Sequence, residues 1–452
     1  MRKTLLCFFS LIFFTANSQE YFPVNTEVKT TENTIYAFIN AKIQVTPSIF
    51  IEKGTLLIKD GKIIEVGSSV KIPSESKIID LNGNYMYPSF IDVYSDFGIE
   101  KPKAVPRSSF FGGKPQYDTE KDGYYWNDHI KAQTNALSEF KFDNKRAKEL
   151  LSAGFGTVNT HLQDGIIRGN GILVALNPIT TNNYRILDEK SAQYLSFSRS
   201  ALSKQAYPNS LMGSIALIKQ VYNDADWYSK GLSKNKDLTL EAFLNNKNLV
   251  QIFEANSKQN DFRADKIGDE FGIQYIILGG GDEYENIEEI KATKATYIIP
   301  VNFKKAYDVS DPFLASEIAL SDLRKWNQEP SNLHVLNKNG VPFSLTTHQL
   351  KSISDFNKNL QKAFAYGFNK TEALKALTTV PANILGKSNE IGTLQKGSYA
   401  NFLITSGEIF DKETVIYENW VLGSKNVINN INTKNISGNY TLSLHNKTYN
   451  LT

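Results

Sequence analysis

Residues 80–98 read Asp-Leu-Asn-Gly-Asn-Tyr-Met-Tyr-Pro-Ser-Phe-Ile-Asp-Val-Tyr-Ser-Asp-Phe-Gly, and the stretch divides the chain into two kinds of pattern. On its N-terminal side, short β-rich runs at 35–43, 54–59, 62–67 and 77–81 alternate with turns. Between two of them lies Lys59-Asp60-Gly61-Lys62, a two-residue hairpin signal, because Asp-Gly readily adopts the positive φ values of a type I′ turn. On its C-terminal side, apolar strand-like runs at 155–160, 249–255, 273–278, 297–301 and 341–345 alternate with helix-like stretches at 146–153, 262–271, 287–291, 349–366 and 371–376. Such alternation predicts a parallel α/β architecture. Turn-and-strand character returns at 391–404 and continues at 415–422 and 425–431.

Composition is that of an ordinary globular protein with ample core: 452 residues, 41% hydrophobic and 21% charged. A net charge of +3, with no dense run of Lys or Arg, points to neither nucleic acid nor an anionic membrane surface. Arg2 and Lys3, the apolar run 5–14, and Ala16-Asn17-Ser18 have the three regions of a secretory signal peptide, too short to span a membrane. The expected location is therefore extracellular or periplasmic. The only cysteine, Cys7, lies inside that segment, so the mature chain is expected to have neither disulfides nor a cysteine nucleophile.

The segment 80–98 resembles the start of the catalytic barrel in the amidohydrolase superfamily, the imidazolonepropionase-like branch in particular. There an acidic residue, a small turn and an apolar pair precede Pro-Gly-aliphatic-Ile-Asp-x-His-x-His. Pro88, Phe90, Ile91 and Asp92 match it. Thr378-Thr379-Val380-Pro381-Ala382 resembles the turn after the last barrel strand, and Gly397-Ser398-Tyr399-Ala400-Asn401 the closing Gly-x-x-Ala-Asp motif with Asn for Asp. The resemblance runs from about residue 34 to 423. It implies an α/β fold: a (β/α)8 TIM-type barrel at 87–390, and a small composite β-sandwich made from the N-terminal segment 19–86 and the C-terminal segment 391–431. The signal peptide occupies 1–18. Residues 432–452 read as an unfinished β tail, an edge a complete domain would normally cover, which suggests the front of a longer polypeptide. The loop 101–128, with Gly112-Gly113 and the aromatic run Tyr124-Tyr125-Trp126, is expected to cover the barrel mouth.

In the superfamily, a metal at the C-terminal ends of the strands turns a bound water into a hydroxide near neutral pH. Aligned on the resemblance, this chain has lost each ligand it can be compared at. Tyr94 and Asp96 stand for the first two histidines, Glu254 and Asn256 for the His-Ala-His strand, Gly280 for the next histidine, and Thr347 for the Asp that takes the water's proton. Thr347 cannot act as that base. Two carboxylates without imidazole make a poor catalytic zinc site. His161, at a predicted strand end with Asp164 as a possible partner, is the best remaining candidate for chemistry, followed by His348. His129, His334 and His445 share no ligand spacing. The glycines at 279–281 could approach a phosphate, but without a lysine they read as a tight turn.

Two functions follow as expectations. In the first, the chain is an exported unit with a degenerate metal centre and no cofactor, which binds a small molecule or scaffolds an intact amidohydrolase unit in the same or another chain. In the second, it hydrolyses C–N bonds of the cyclic-amide type, with zinc or another divalent metal held by an unusual set drawn from Asp96, Glu254, His161 and Asp164.

Overall fold

The computed structural model describes residues 34–104, 117, 119, 121–432, 438–444 and 447–451. The expected signal peptide, Cys7, His445 and the Gly112-Gly113 part of the loop lie outside these residues. The N-terminal strands are β1 (Tyr36–Thr46), β2 (Ile49–Lys59), β3 (Lys62–Gly67), β4 (Lys77–Asp80) and β5 (Tyr85–Pro88). The central strands are β6 (Phe90–Ser95), β7 (Phe155–Thr160), β8 (Ile167–Asn170), β9 (Ile172–Ala175), β10 (Ile186–Asp188), β11 (Ala192–Ser196), β12 (Val250–Glu254), β13 (Ile276–Leu278), β14 (Thr296–Pro300) and β15 (Phe343–Thr346). The C-terminal strands are β16 (Phe402–Thr405), β17 (Ile416–Val421) and β18 (Ser424–Val427), followed by β19 (Tyr440–Leu444) and β20 (Lys447–Leu451).

The two strand-rich ends of the chain share one eight-stranded sheet, ordered β18-β17-β16-β5-β1-β2-β3, with β4 paired to β1. Its own apolar cluster packs Phe38, Phe402 and Trp420 ring against ring at 5.0–5.6 Å between centroids. The Asp60-Gly61 turn between β2 and β3 has positive φ at both residues, 48° and 73°, as a type I′ turn requires. Gly61 also touches the C-terminal strands: a Cβ there would stand 2.9 Å from the Leu422 carbonyl oxygen. The Asn401 amide uses what a carboxylate would lack. Its oxygen accepts the Leu422 N–H at 2.7 Å, and its nitrogen donates to Thr157 Oγ1 at 3.4 Å, joining the sheet to β7.

The central strands β6, β7 and β15 are buried along their whole length, as expected of parallel strands covered on both faces. The expected closed ring of eight parallel strands is not what the main-chain ladders form. They make a four-stranded sheet, β10-β9-β7-β6, and a six-stranded sheet, β15-β14-β13-β12-β11-β8. The departure comes from 167–188, where β8 runs antiparallel to β11 and β9 antiparallel to β7. That segment supplies antiparallel strands where the alternation predicts a parallel strand and helix. A single residue, Gly171, passes the chain from β8 in one sheet to β9 in the other. At the other seam, side chains replace a ladder: Thr346 Oγ1 at the end of β15 donates to Asp92 Oδ1 at 2.7 Å and to the Tyr94 carbonyl of β6 at 2.9 Å.

Past the shared sheet, β19 and β20 form a separate two-stranded hairpin whose Tyr440, Leu442, Leu444 and Tyr449 are exposed. Substituting Gly61 by alanine should cost about 1–2 kcal/mol, the penalty of a left-handed residue with a Cβ, plus the clash with Leu422. Urea unfolding of the two proteins side by side measures it, and an unchanged midpoint would contradict the role given to this turn.

Candidate functional site

The C-terminal ends of the parallel strands converge, and they carry most of the positions singled out in the sequence. Tyr94 is near the end of β6, Glu254 is the last residue of β12, and Thr347 follows β15. His161 follows β7, and Gly280 lies two residues past β13. The centre of this face is held by a residue the sequence reading overlooked, Arg168. Because β8 is antiparallel, its start lies against the end of β11, with Ile167 opposite Leu195, and the guanidinium is delivered among the strand ends.

Arg168 is 4% exposed. Its Nε donates to the Gly165 carbonyl at 3.0 Å, and one terminal nitrogen donates to both Tyr94 Oη, at 2.8 Å, and Glu254 Oε2. The Tyr94 hydroxyl itself donates to Glu254 Oε2. Asn256 Nδ2 reaches the other carboxylate oxygen at 2.7 Å. Burial works against a charge on Glu254. The positive charge of Arg168 and the two hydrogen bonds outweigh it, bringing the carboxyl down to about 2. The same cluster keeps the Tyr94 phenol protonated, since burial pushes its ionisation well above the usual tyrosine value. Tyr94 and Glu254, the two residues that the sequence resemblance set at ligand positions, are thus committed to an internal cation.

Two imidazoles flank the Tyr94 ring edge-on, His161 at 4.7 Å and His348 at 4.8 Å between centroids. His161 lies face to face on Tyr194, 3.4 Å away and 2° from parallel. Both of its ring nitrogens are buried without a hydrogen-bond partner among the described residues. Burial, and next the Arg168 charge, hold His161 neutral well below the ordinary histidine range. Burial depresses His348 too, against the pull of Glu254 and Asp96.

The expected pairing of His161 with Asp164 does not form. Asp164 turns away to Lys131 Nζ and Ser200 Oγ, each at 2.5 Å, and to the Ala201 N–H at 2.6 Å. A partly buried ammonium and two further donors offer this carboxylate more than a neutral imidazole could. Asp96 also points elsewhere, to Arg146 at 2.5 Å and Lys101 at 3.1 Å. Thr347 belongs to the seam: its Oγ1 and N–H donate to Asp92 Oδ2 at 2.5 and 3.0 Å. Gly280 cannot carry a ligand, because a Cβ there would lie 2.5 Å from the Asn256 carbonyl oxygen. Its N–H and that of Gly281 donate to Glu283 Oε1 at 2.7 and 3.1 Å, so an internal carboxylate occupies the anion-binding turn. Among the described residues no three His, Cys, Asp or Glu side chains are grouped so as to hold a metal. The family's metal therefore does not fit this arrangement of residues.

The remaining histidines are in structural contacts. His129 Nδ1 accepts the Ser200 N–H at 3.0 Å, and burial lowers this imidazole to about 4. His334 Nδ1 lies 2.8 Å from the Gly367 carbonyl. Of the aromatic run, Tyr125 is buried and donates to Asp224 at 2.6 Å, while Trp126 stacks on Tyr207, so this part of the loop is anchored on the helix Leu211–Ser229 and its approach.

Residues 290–436 match the family model described as the amidohydrolase family. Over that segment the chain is similar to the amidohydrolase family. No curated protein sequence matches the chain. Among solved structures, an amidohydrolase from Thermotoga maritima MSB8 is 22% identical with a TM-score of 0.67, over 86% of this chain and 99% of that one. A putative prolidase from Bifidobacterium longum is 16% identical with a TM-score of 0.50, over 87% and 94%. A Xaa-Pro dipeptidase with bound methionine is 11% identical at the same TM-score, over 87% and 100%. At these identities the likeness is one of fold, and it gives the chain the TIM-barrel type of α/β architecture. Among the described residues no helix is long and apolar enough to cross a membrane.

The amidohydrolase-like strand end makes a pH-dependent contribution to stability. Glu254→Gln leaves a buried guanidinium without its counter-charge and should cost about 3–5 kcal/mol near neutral pH. Glu254 has a depressed folded-state pKa. Its contribution is therefore complete above the ordinary value of 4.5 and is lost as pH falls toward about 2. Urea titrations should show the gap between parent and Glu254→Gln narrowing through that window. A gap that is constant with pH would disprove the charge assignment.

Proposed function

We propose that this chain is an exported amidohydrolase-superfamily unit that does not hydrolyse, and that it binds a small molecule or scaffolds an intact amidohydrolase unit. One observation carries the reading: the Arg168 guanidinium is hydrogen-bonded to Tyr94 and Glu254, where the family holds its metal. A hydrolytic centre needs about three protein ligands and an open position for water. Here the ligand positions are bound to an arginine, sterically closed at Gly280, or part of the β6–β15 seam at Thr347. The proton acceptor of the last strand is absent as well.

The same reading takes the central strands as a barrel closed by unusual means. Around the ring, β8 and β9 together fill one place as a bent antiparallel member, and the Thr346 and Thr347 side chains close the gap between β15 and β6. The end segments, 34–86 and 391–431, then form one composite β unit beside it, and 438–444 with 447–451 a separate hairpin. The competing hydrolase would need His161 and Asp164 to work together, and each side chain faces away from the other.

The mature chain should carry no stoichiometric zinc and show no chelator-sensitive hydrolysis of amide, lactam or imidazolone substrates. Elemental analysis of the purified protein, run beside a hydrolase panel, measures both. The double substitution Tyr94→His with Asp96→His should remain inactive, since Gly280 and Thr347 stay defective. Tightly held metal with turnover that Asp96→Ala abolishes would establish the hydrolase instead.

A further inference from the structure

We propose that the N-terminal end of the central strands carries a second binding site, a cavity that takes a small neutral molecule with an apolar ring and a single N–H or O–H donor. The site lies at the opposite end of the strands from the Arg168 cluster and stands independently of the reading given to that cluster.

Gln193 and Gln251 are the second residues of β11 and β12, and the parallel register sets them side by side. With residues of the helices Leu211–Ser229, Leu238–Asn245 and Lys258–Phe271 they line a cavity of about 340 Å3. That volume suits a small organic molecule. The walls are apolar: Tyr222, Phe243, Leu244, Phe271 and Ile273. Tyr222 stacks on Phe271 at 4.5 Å and meets Phe243 edge-on at 5.0 Å between centroids, so the aromatic wall is braced by its own packing.

The polar groups inside this wall are engaged, with one exception. The Tyr222 hydroxyl bonds the Tyr275 hydroxyl at 2.5 Å. Gln251 Nε2 donates to the Asn246 and Leu249 carbonyls, each at 2.9 Å, which turns the Gln251 oxygen toward Gln193. Gln193 must answer with its NH2 group, and does so at 2.9 Å. The orientation of the Gln193 amide is thereby fixed, and its Oε1 is left buried with no donor among the described residues. The residue is 1% exposed, and a buried carbonyl oxygen nearly always has a partner. Charge is confined to the rim, where Asp226 pairs with Lys230, Glu270 with Lys219, and Lys247 is exposed. The interior therefore offers apolar walls and one acceptor. An anion would find no donor in the wall, and a cation would exchange its water for a single neutral amide. A neutral ring with one donor uses both features.

Isothermal titration of the full mature chain should show one saturable site for indole and for phenol. The same rings without the donor, 1-methylindole and anisole, should bind at least about fivefold more weakly, because the Gln193 oxygen then stays unpaired. Ser229 is exposed on the cavity rim, and Ser229→Trp should abolish binding of all four without moving the thermal transition. Gln193→Leu should erase the preference for indole over 1-methylindole. Should Gln193→Leu fail to fold, the donor comparison in the parent and the Ser229→Trp block still decide. A parent that binds neither indole nor phenol, or that binds the methylated rings equally well, overturns the proposal. So does a folded Ser229→Trp that still binds indole, or a folded Gln193→Leu that keeps the preference.

Discussion

Asp92 is a carboxylate shut away from water, and four donors converge on it. The Tyr94 N–H and Thr346 hydroxyl bond one oxygen, and the Thr347 hydroxyl and N–H the other. Burial pushes its pKa up while these hydrogen bonds pull it back. The consequence is architectural. β6 and β15 have no ladder between them, so this side-chain knot joins the first of the central strands to the last. It also sets the direction of the backbone at Tyr94, and so determines where the phenol ends. The strand-end cluster is built on that constraint.

The cluster balances the Glu254 carboxylate with the Arg168 guanidinium. A metal and an arginine both neutralise a buried carboxylate, but they differ in what else they can do. A metal keeps an open position, holds a water and lowers its pKa. A guanidinium is planar and permanently protonated, has only donors to offer, and uses them on neighbouring oxygens. In the function proposed above, an arginine in the metal's place keeps the electrostatics of the strand ends without the means to make hydroxide. The glycine at 280 and the threonine at 347 fit the same picture. The first admits close passage of the Asn256 carbonyl, and the second gives its hydroxyl to Asp92.

The stability of the fold lies largely outside the site. One large apolar core spans the central strands and the surrounding helices, and a second cluster belongs to the shared sheet of the two chain ends. Buried polar side chains hold the two bodies together, among them Asn419, which donates to the Leu151 and Phe155 carbonyls at 3.1 and 3.0 Å and accepts the Ser89 hydroxyl at 2.8 Å. None of these contacts uses the strand ends, so a change of chemistry there need not disturb the framework.

What the sequence by itself determined was everything governed by local pattern. The Asp60-Gly61 turn and the strands Lys62–Gly67 and Phe155–Thr160 could all be read from short windows. Periodicity and turn chemistry act over a few residues, so a linear reading captures them. The antiparallel insertion at 167–188 was not legible, because direction within a sheet depends on which distant strand a segment meets. Arg168 went unnoticed for the same reason. Its one signal was a charge inside the apolar, glycine-flanked run Ile166-Ile167-Arg168-Gly169, a place where arginine seldom sits unless paired. Its partners, Tyr94 and Glu254, are 74 and 86 residues away. The pairing expected between His161 and Asp164 failed although the two are close in sequence, since Lys131 and Ser200 reach Asp164 from other parts of the chain. Only the tertiary structure decides such competition, because a buried charge goes to whichever partner the packing brings nearest.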